Sequence, residues 1–212
     1  MNSKELQKRL VDWTAKNSGH DFRRPYIGLS GIGDCERKIY DRVRNGNHIS
    51  VEEHLRTRLS YELEEALQGR LRLLGIYAPG ETITLFDGLV QGHTDGLLDG
   101  REILEIKTVP LREFLPGNKV PGRVYWQCQA YMHYLKRRFC HVVYLSRDHG
   151  QVKVFGLHYD EKLGVDIQLK VGRLVDAVLG YERPVCSCGK CDSANNANGE
   201  KKIRGEGEGV RG

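Results

Sequence analysis

Gly92-His93-Thr94-Asp95-Gly96-Leu97-Leu98-Asp99-Gly100-Arg101-Glu102-Ile103-Leu104-Glu105-Ile106-Lys107-Thr108 decides how the chain is read. Two short apolar runs flank Asp99-Gly100, which is a hairpin pattern. Side chains of a strand alternate between faces. On the second run Leu104 and Ile106 therefore share one face, and Ile103, Glu105 and Lys107 the other. A carboxylate and an ammonium two residues apart point the same way, with Asp95 near the start of the neighbouring strand. Asp95 and Glu105 are hard oxygen donors of the kind that Mg²⁺ or Mn²⁺ takes. One or two such ions would polarise a phosphodiester and acidify a bound water. Lys107 would hold that water or offset charge in the transition state. A solvated edge strand can carry the same Glu-x-Lys, so the flanking segments decide its meaning.

Upstream, Ser50-Val51-Glu52-Glu53 is a capping box opening a long helix to about residue 74, with Gly75 as its stop. Leu55, Leu59, Leu63, Ala66, Leu67, Leu71 and Leu74 form its apolar stripe, with Arg70 inside it. Glu65 and His54 fall on the wet side. Glu62 and Glu64 sit on the two borders, from which a carboxylate can lean over the core edge. Residues 4–17 read as an amphipathic helix with Leu6, Leu10, Val11 and Trp13, followed by a basic connector carrying Arg23 and Arg24. Ser30 or Asp34 could cap a helix beginning near Cys35, where the helix dipole favours a thiolate. Strands are expected over 81–86, 89–98 and 101–108.

Downstream, a loop punctuated by Pro110, Pro116 and Pro121 holds Arg112, Lys119 and Arg123; it reads as a phosphate-tracking segment or a solvated connector. A helix over 123–136 places Gln127 and Tyr131 on one face, four residues apart. Alternating strands over 139–145 and 152–158 and a helix over 161–179 follow. Cys186, Cys188 and Cys191 then crowd into six residues among Gly, Ser and Lys, a poor setting for burial and a good one for a metal. Cys128 and Cys140 have apolar neighbours and read as buried thiols. Residues 192–212 lack apolar periodicity and read as disordered.

The chain has 212 residues, 39% hydrophobic and 29% charged, which suits one ordinary globular domain over 1–191. Six cysteines behind a polar start, with no signal peptide, argue against a disulfide framework and for a cytoplasmic protein. No apolar run approaches the roughly 20 residues of a membrane span. A net charge of +5 is compatible with a polyanionic partner.

The order of these parts resembles the RecB-type branch of PD-(D/E)XK nucleases, in particular the iron–sulfur exonucleases associated with CRISPR adaptation and similar phage exonucleases. The resemblance runs from about Leu29 to Cys191. It implies an α/β, restriction-endonuclease-like core: a central mixed sheet flanked by helices. It also implies that Asp95, Glu105 and the backbone carbonyl of Ile106 are metal ligands and that Lys107 is the motif lysine. Gln127 and Tyr131 match its Gln-x-x-x-Tyr motif, which helps place the lysine and the DNA. The family's ligand on the long helix falls at Glu64, with Glu62 second; His93 reads as a neighbour of the site. Cys35 is implied as the fourth ligand joining Cys186, Cys188 and Cys191 around a [4Fe–4S] cluster. The spacing Cys-x-Cys-x-x-Cys departs from the family's Cys-x-x-Cys with a longer gap to the last cysteine. That leaves a tetrahedral Zn²⁺ as the rival.

The sequence thus reads as a metal-dependent DNA exonuclease acting on free or single-stranded ends. Arg37, Lys119, Arg123, Gln127 and Tyr131 would hold the strand, and a recombinase, helicase or integrase-like protein is a possible partner. Two alternatives stand beside it: a non-catalytic nucleic-acid-binding module of the same fold, and a nuclease subunit active only with its partner.

Overall fold

The computed structural model describes residues 2–6, 8–9, 25–46, 50–114, 119–189 and 191. Residues 3–6 and 8–9 are helical and exposed. Leu10, Val11, Trp13, Arg23, Arg24, Pro116 and the tail over 192–212 lie outside the described residues.

Among the described residues, eight strands form two mixed sheets. The larger has the order β2 (Tyr77–Ala78), β5 (Gly96–Leu98), β6 (Glu102–Val109), β7 (Phe139–Ser146) and β8 (Val152–His158). Only β6 and β7 are parallel in it. The smaller sheet has the order β1 (Ile27–Gly28), β4 (Val90–His93) and β3 (Thr82–Leu85), with β1 parallel to β4. The hairpin between β5 and β6 turns at Asp99 and Gly100, both at positive φ (48° and 68°). Asp and Gly tolerate that conformation, which is why the pair marks the turn.

The helices are α1 (Glu36–Asn45), α2 (Val51–Leu73), α3 (Leu111–Phe114), α4 (Gly122–Leu135) and α5 (Glu161–Gly180). Ser50 caps α2 by accepting from the Glu53 amide at 3.1 Å, and Gly75 follows it at φ +74°. Cys35 itself is the N-cap residue of α1, without a side-chain cap; neither Ser30 nor Asp34 takes that place.

Parallel β6 and β7 require a crossover, and α4 is its long element. It lies on the sheet face that carries Ile103 and Glu105. Gln129, fully buried in α4, donates to the His158 carbonyl and accepts from the Asp160 amide, both at 2.8 Å, and so locks the helix to the end of β8. The opposite face carries Leu104, Ile106 and Val143, packed under Leu67 and Leu71 of α2. Burying each such side chain contributes about 1.5–3 kcal/mol.

Two expectations are corrected here. The single strand expected over 89–98 is broken at Thr94-Asp95, and its halves, β4 and β5, belong to different sheets. Thr94 turns inward, fully buried: its amide bonds the Glu81 carbonyl (3.1 Å) and its hydroxyl accepts from the Glu81 amide (2.9 Å). The apolar stripe of α2 is realised only in part. Leu67 and Leu71 pack against the sheet and Leu63 is half-buried, whereas Leu55 (41%), Leu59 (55%), Leu74 (70%), Ala66 and Arg70 are exposed, and His54 is half-buried.

Candidate active site

A cleft of about 360 Å³ opens where the two sheets meet, and Glu64, Asp95, Glu105, Ile106, Lys107, Gln127 and Tyr131 all line it. Glu62, the alternative on α2, is exposed and absent from that lining.

Four segments deliver these residues. Glu105 and Lys107 come from β6, as the alternation requires, and their ion pair spans 2.5 Å. α4 lies across them, so Gln127 donates through Nε2 to Glu105 Oε1 (2.6 Å) and to the Tyr131 hydroxyl (3.1 Å). The break after β4 delivers Asp95. Its carbonyl accepts from Gln68 Nε2 (2.9 Å) and the Tyr77 hydroxyl (3.0 Å), and its Oδ2 accepts from the Ile106 amide (2.6 Å). The β5–β6 ladder ends at Gly96–Leu104, so Asp95 takes the ladder position beyond it. Within a strand the N–H and C=O of one residue point to the same side. The Ile106 carbonyl therefore faces the Asp95 side as well.

Glu105 is 1% exposed, and among the described residues its Oε2 has no partner. A buried acceptor left open costs on the order of 1–3 kcal/mol, more if charged. Burial, opposed by Lys107 and reinforced by Asp95, pushes its carboxyl up to about 8. Burial followed by Asp95 pushes Glu64 up to about 7, and burial also raises Asp95 against the Ile106 hydrogen bond. Lys107 is raised as well: burial works against its charge, but Glu105 outweighs it. Three carboxyls that resist ionisation around one open oxygen are a donor set fitted to a divalent cation, which would relieve all of them.

Motif reasoning did not assign Tyr26, Ser30, Tyr61, Thr82 and Gln91 to the site, although they also line the cleft. Thr82 and Gln91 arrive on the small sheet, Tyr26 and Ser30 on the segments flanking β1, and Tyr61 on α2. His93 lines it too, hydrogen-bonded through Nδ1 to the Thr82 hydroxyl at 3.0 Å. Gly92 beside it is dictated by space: a Cβ there would lie 2.9 Å from Leu29 Cδ1 and 3.0 Å from the Tyr131 ring. Arg37, Lys119 and Arg123 do not line the cleft. Arg37 donates to the Pro184 carbonyl (2.9 Å), Lys119 is exposed, and Arg123 approaches Asp34 at 3.4 Å.

The four cysteines converge elsewhere. The thiol sulfurs of Cys35, Cys186, Cys188 and Cys191 lie within 4.8 Å of one another, although the chain separates Cys35 from the triplet. Polar ties between α1 and the α5 region bring them together. Arg173 grips Glu36 (2.6 Å), Arg183 grips Asp41 through two bonds (2.8 and 2.6 Å), and Lys170 donates to the Asp34 carbonyl (2.7 Å). Desolvation raises the Cys35 thiol, but hydrogen bonds from Ser187 and the first turn of α1 lower it to about 6 overall. Cys128 and Cys140 are fully buried.

No protein-family model matches the sequence, and no curated protein matches it. Solved structures do. Two crystal structures of LHK-Exo, an alkaline exonuclease from Laribacter hongkongensis, superpose with a TM-score of 0.59, at 17% and 16% identity. Each covers 85% of this chain and 96% of its own, and one is a complex with dAMP. The chain thus has the fold of an alkaline exonuclease, the α/β architecture that the resemblance implies. No helix among the described residues is long and apolar enough to cross a membrane.

Proposed function

We propose that this chain is a Mg²⁺- or Mn²⁺-dependent deoxyribonuclease that hydrolyses phosphodiester bonds at DNA ends. The observation that carries the proposal is Glu105: buried, open at Oε2, and held at Oε1 by both Lys107 and Gln127. A purely structural carboxylate would have both oxygens satisfied. The exonuclease fold supports the same reading.

Asp95, Glu105 and the Ile106 carbonyl would hold one or two ions, with Glu64 leaning in from α2. When bound, the metal supplies Lewis acidity and an acidified water. The protein's own groups do the rest. Gln127 keeps Glu105 Oε1 occupied, which turns Oε2 toward the cleft. Lys107, anchored on Glu105, presents its ammonium where charge develops on the phosphate. Tyr131, fixed through Gln127, walls the cleft beside Gly92. Arg123 and Lys119 offer charge to the strand outside it.

The four thiolates hold a second metal site that closes one domain over 1–191. The resemblance implies a [4Fe–4S] cluster. The closeness of the thiols favours a single Zn²⁺, for which a bond of about 2.3 Å puts the sulfurs about 3.8 Å apart. Protein purified without oxygen and incubated with end-labelled linear DNA tests both readings. Brown protein that shortens DNA only with added Mn²⁺ supports the iron–sulfur exonuclease. Colourless, zinc-loaded protein that cuts replaces the cluster with zinc. Cleavage by Lys107→Ala at the wild-type rate removes the proposed chemistry, and binding without cleavage under all these conditions favours the non-catalytic module.

A further inference from the structure

A second cavity, of about 1100 Å³, opens beside the cysteine cluster. Its walls include Lys38, Arg42, Arg44, Tyr181 and Arg183. Two of the cations are compensated: Arg42 by Asp34, and Arg183 by Asp41. Lys38 and Arg44 are exposed, and among the described residues neither has a carboxylate in ion-pair range. The Arg44 guanidinium lies 3.6 Å from the centroid of the Tyr181 ring and 6.0 Å from that of Tyr40. Tyr181 is 75% exposed, so most of its surface is open to a ligand.

The pairing of cation and ring recurs on the way to the cleft. Lys170 Nζ lies 5.0 Å from the Trp126 ring. Asp34, in the cavity wall, meets Arg123 in the first turn of α4, and Gln127 stands one turn further, about 6 Å of helix rise. The closeness depends on Gly33, where a Cβ would sit 2.8 Å from Arg123 Cα. The two cavities are therefore neighbours along one helix face.

We infer that this cavity is a second subsite for single-stranded DNA. A base stacks on Tyr181 and Arg44, and Lys38 and Arg44 meet the backbone a few nucleotides from the cleft. Alternating rings and cations suit unpaired bases, because every base offers a face to stack while a duplex hides it. The inference rests on the nuclease reading for the identity of the polyanion, but it is tested without cleavage.

The full chain, with no Mg²⁺ or Mn²⁺ added, is titrated into a fluorescent oligothymidylate of about 12 nucleotides. Tyr181→Asn removes the ring and keeps a residue that tolerates the left-handed backbone there (φ 61°). It is expected to weaken binding about 5- to 160-fold, the range of one lost stack. Lys38→Ala is expected to lower the salt slope by about 0.7, one phosphate contact. If Tyr181→Asn melts early, the unmodified chain decides: 5-iodouracil in the oligonucleotide is expected to photocross-link to Tyr181. Binding within twofold of wild type for Tyr181→Asn and Arg44→Ala, equal affinity for duplex, or cross-links confined to Tyr26 and Tyr61 would overturn the subsite. A chain that binds here and never cuts overturns the nuclease reading instead.

Discussion

Metal affinity at the cleft should depend steeply on pH, and Glu105 sets the size of the effect. Its carboxyl is held at about 8 and that of Glu64 at about 7. A cation binds the ionised forms, so each proton it must displace lowers its apparent affinity. With Glu105 alone, the ionised fraction rises from about 1% near pH 6 to about half near pH 8, a roughly fiftyfold gain in apparent affinity. That is about 2 kcal/mol, and Glu64 adds to it. Without metal the sign reverses. These carboxyls are raised by burial, so the stability of their protonated forms is present below the unfolded value of 4.5 and is lost as pH climbs through about 7 and 8. Calorimetric titration with Mn²⁺, in buffers of different ionisation enthalpy, measures both the affinity and the protons released. Melting curves with and without Mn²⁺ should diverge as pH rises. An affinity that changes less than about threefold over that window, or an unchanged slope in Glu105→Gln, would refute the argument.

Three further outcomes follow from the geometry. Gln127→Leu removes both of its hydrogen bonds; leaving Glu105 Oε1 short of a donor should cost about 2–3 kcal/mol by denaturant melting and abolish detectable cleavage. Gly92→Ala forces a methyl against Leu29 and Tyr131, which should cost about 1–3 kcal/mol and slow cleavage without altering the metal content of the cysteine site. Cys188→Ser should lower the melting temperature and soluble yield, and empty that site by elemental analysis, since it severs the link closing almost the whole domain. An unchanged melt with full metal content would contradict that link.

Much of the architecture is legible in local pattern. The capping box at Ser50, the hairpin at Asp99-Gly100, the alternation that pairs Glu105 with Lys107 and the four-residue step from Gln127 to Tyr131 all depend on neighbours in sequence. What escapes is decided at long range. The bend at Thr94-Asp95 exists because Glu81, Gln68 and Tyr77 hold its backbone, and no periodicity within 89–98 reports that. The stripe of α2 is a true amphipathic pattern, but only Leu67 and Leu71 of it pack against the sheet. Its outer members, with Ala66 and Arg70, are left to solvent. Residue type singled out Glu105 and Lys107 on β6; only packing separates Glu64 from Glu62.

The break that carries Asp95 has a mechanical meaning. One end of it is fastened to the three-stranded sheet through His93, the other to the five-stranded sheet through Gly96. The Ile106 amide pins Asp95 to the larger plate, so the angle between two separately hydrogen-bonded plates sets how far Thr82 and His93 stand from Asp95 and Glu105. On the proposed reading, a strand of DNA pressing on Thr82 or His93 would push on one plate while Asp95 and Glu105 stay with the other. The width of the groove would then adjust through the angle between the plates, with no moving lid.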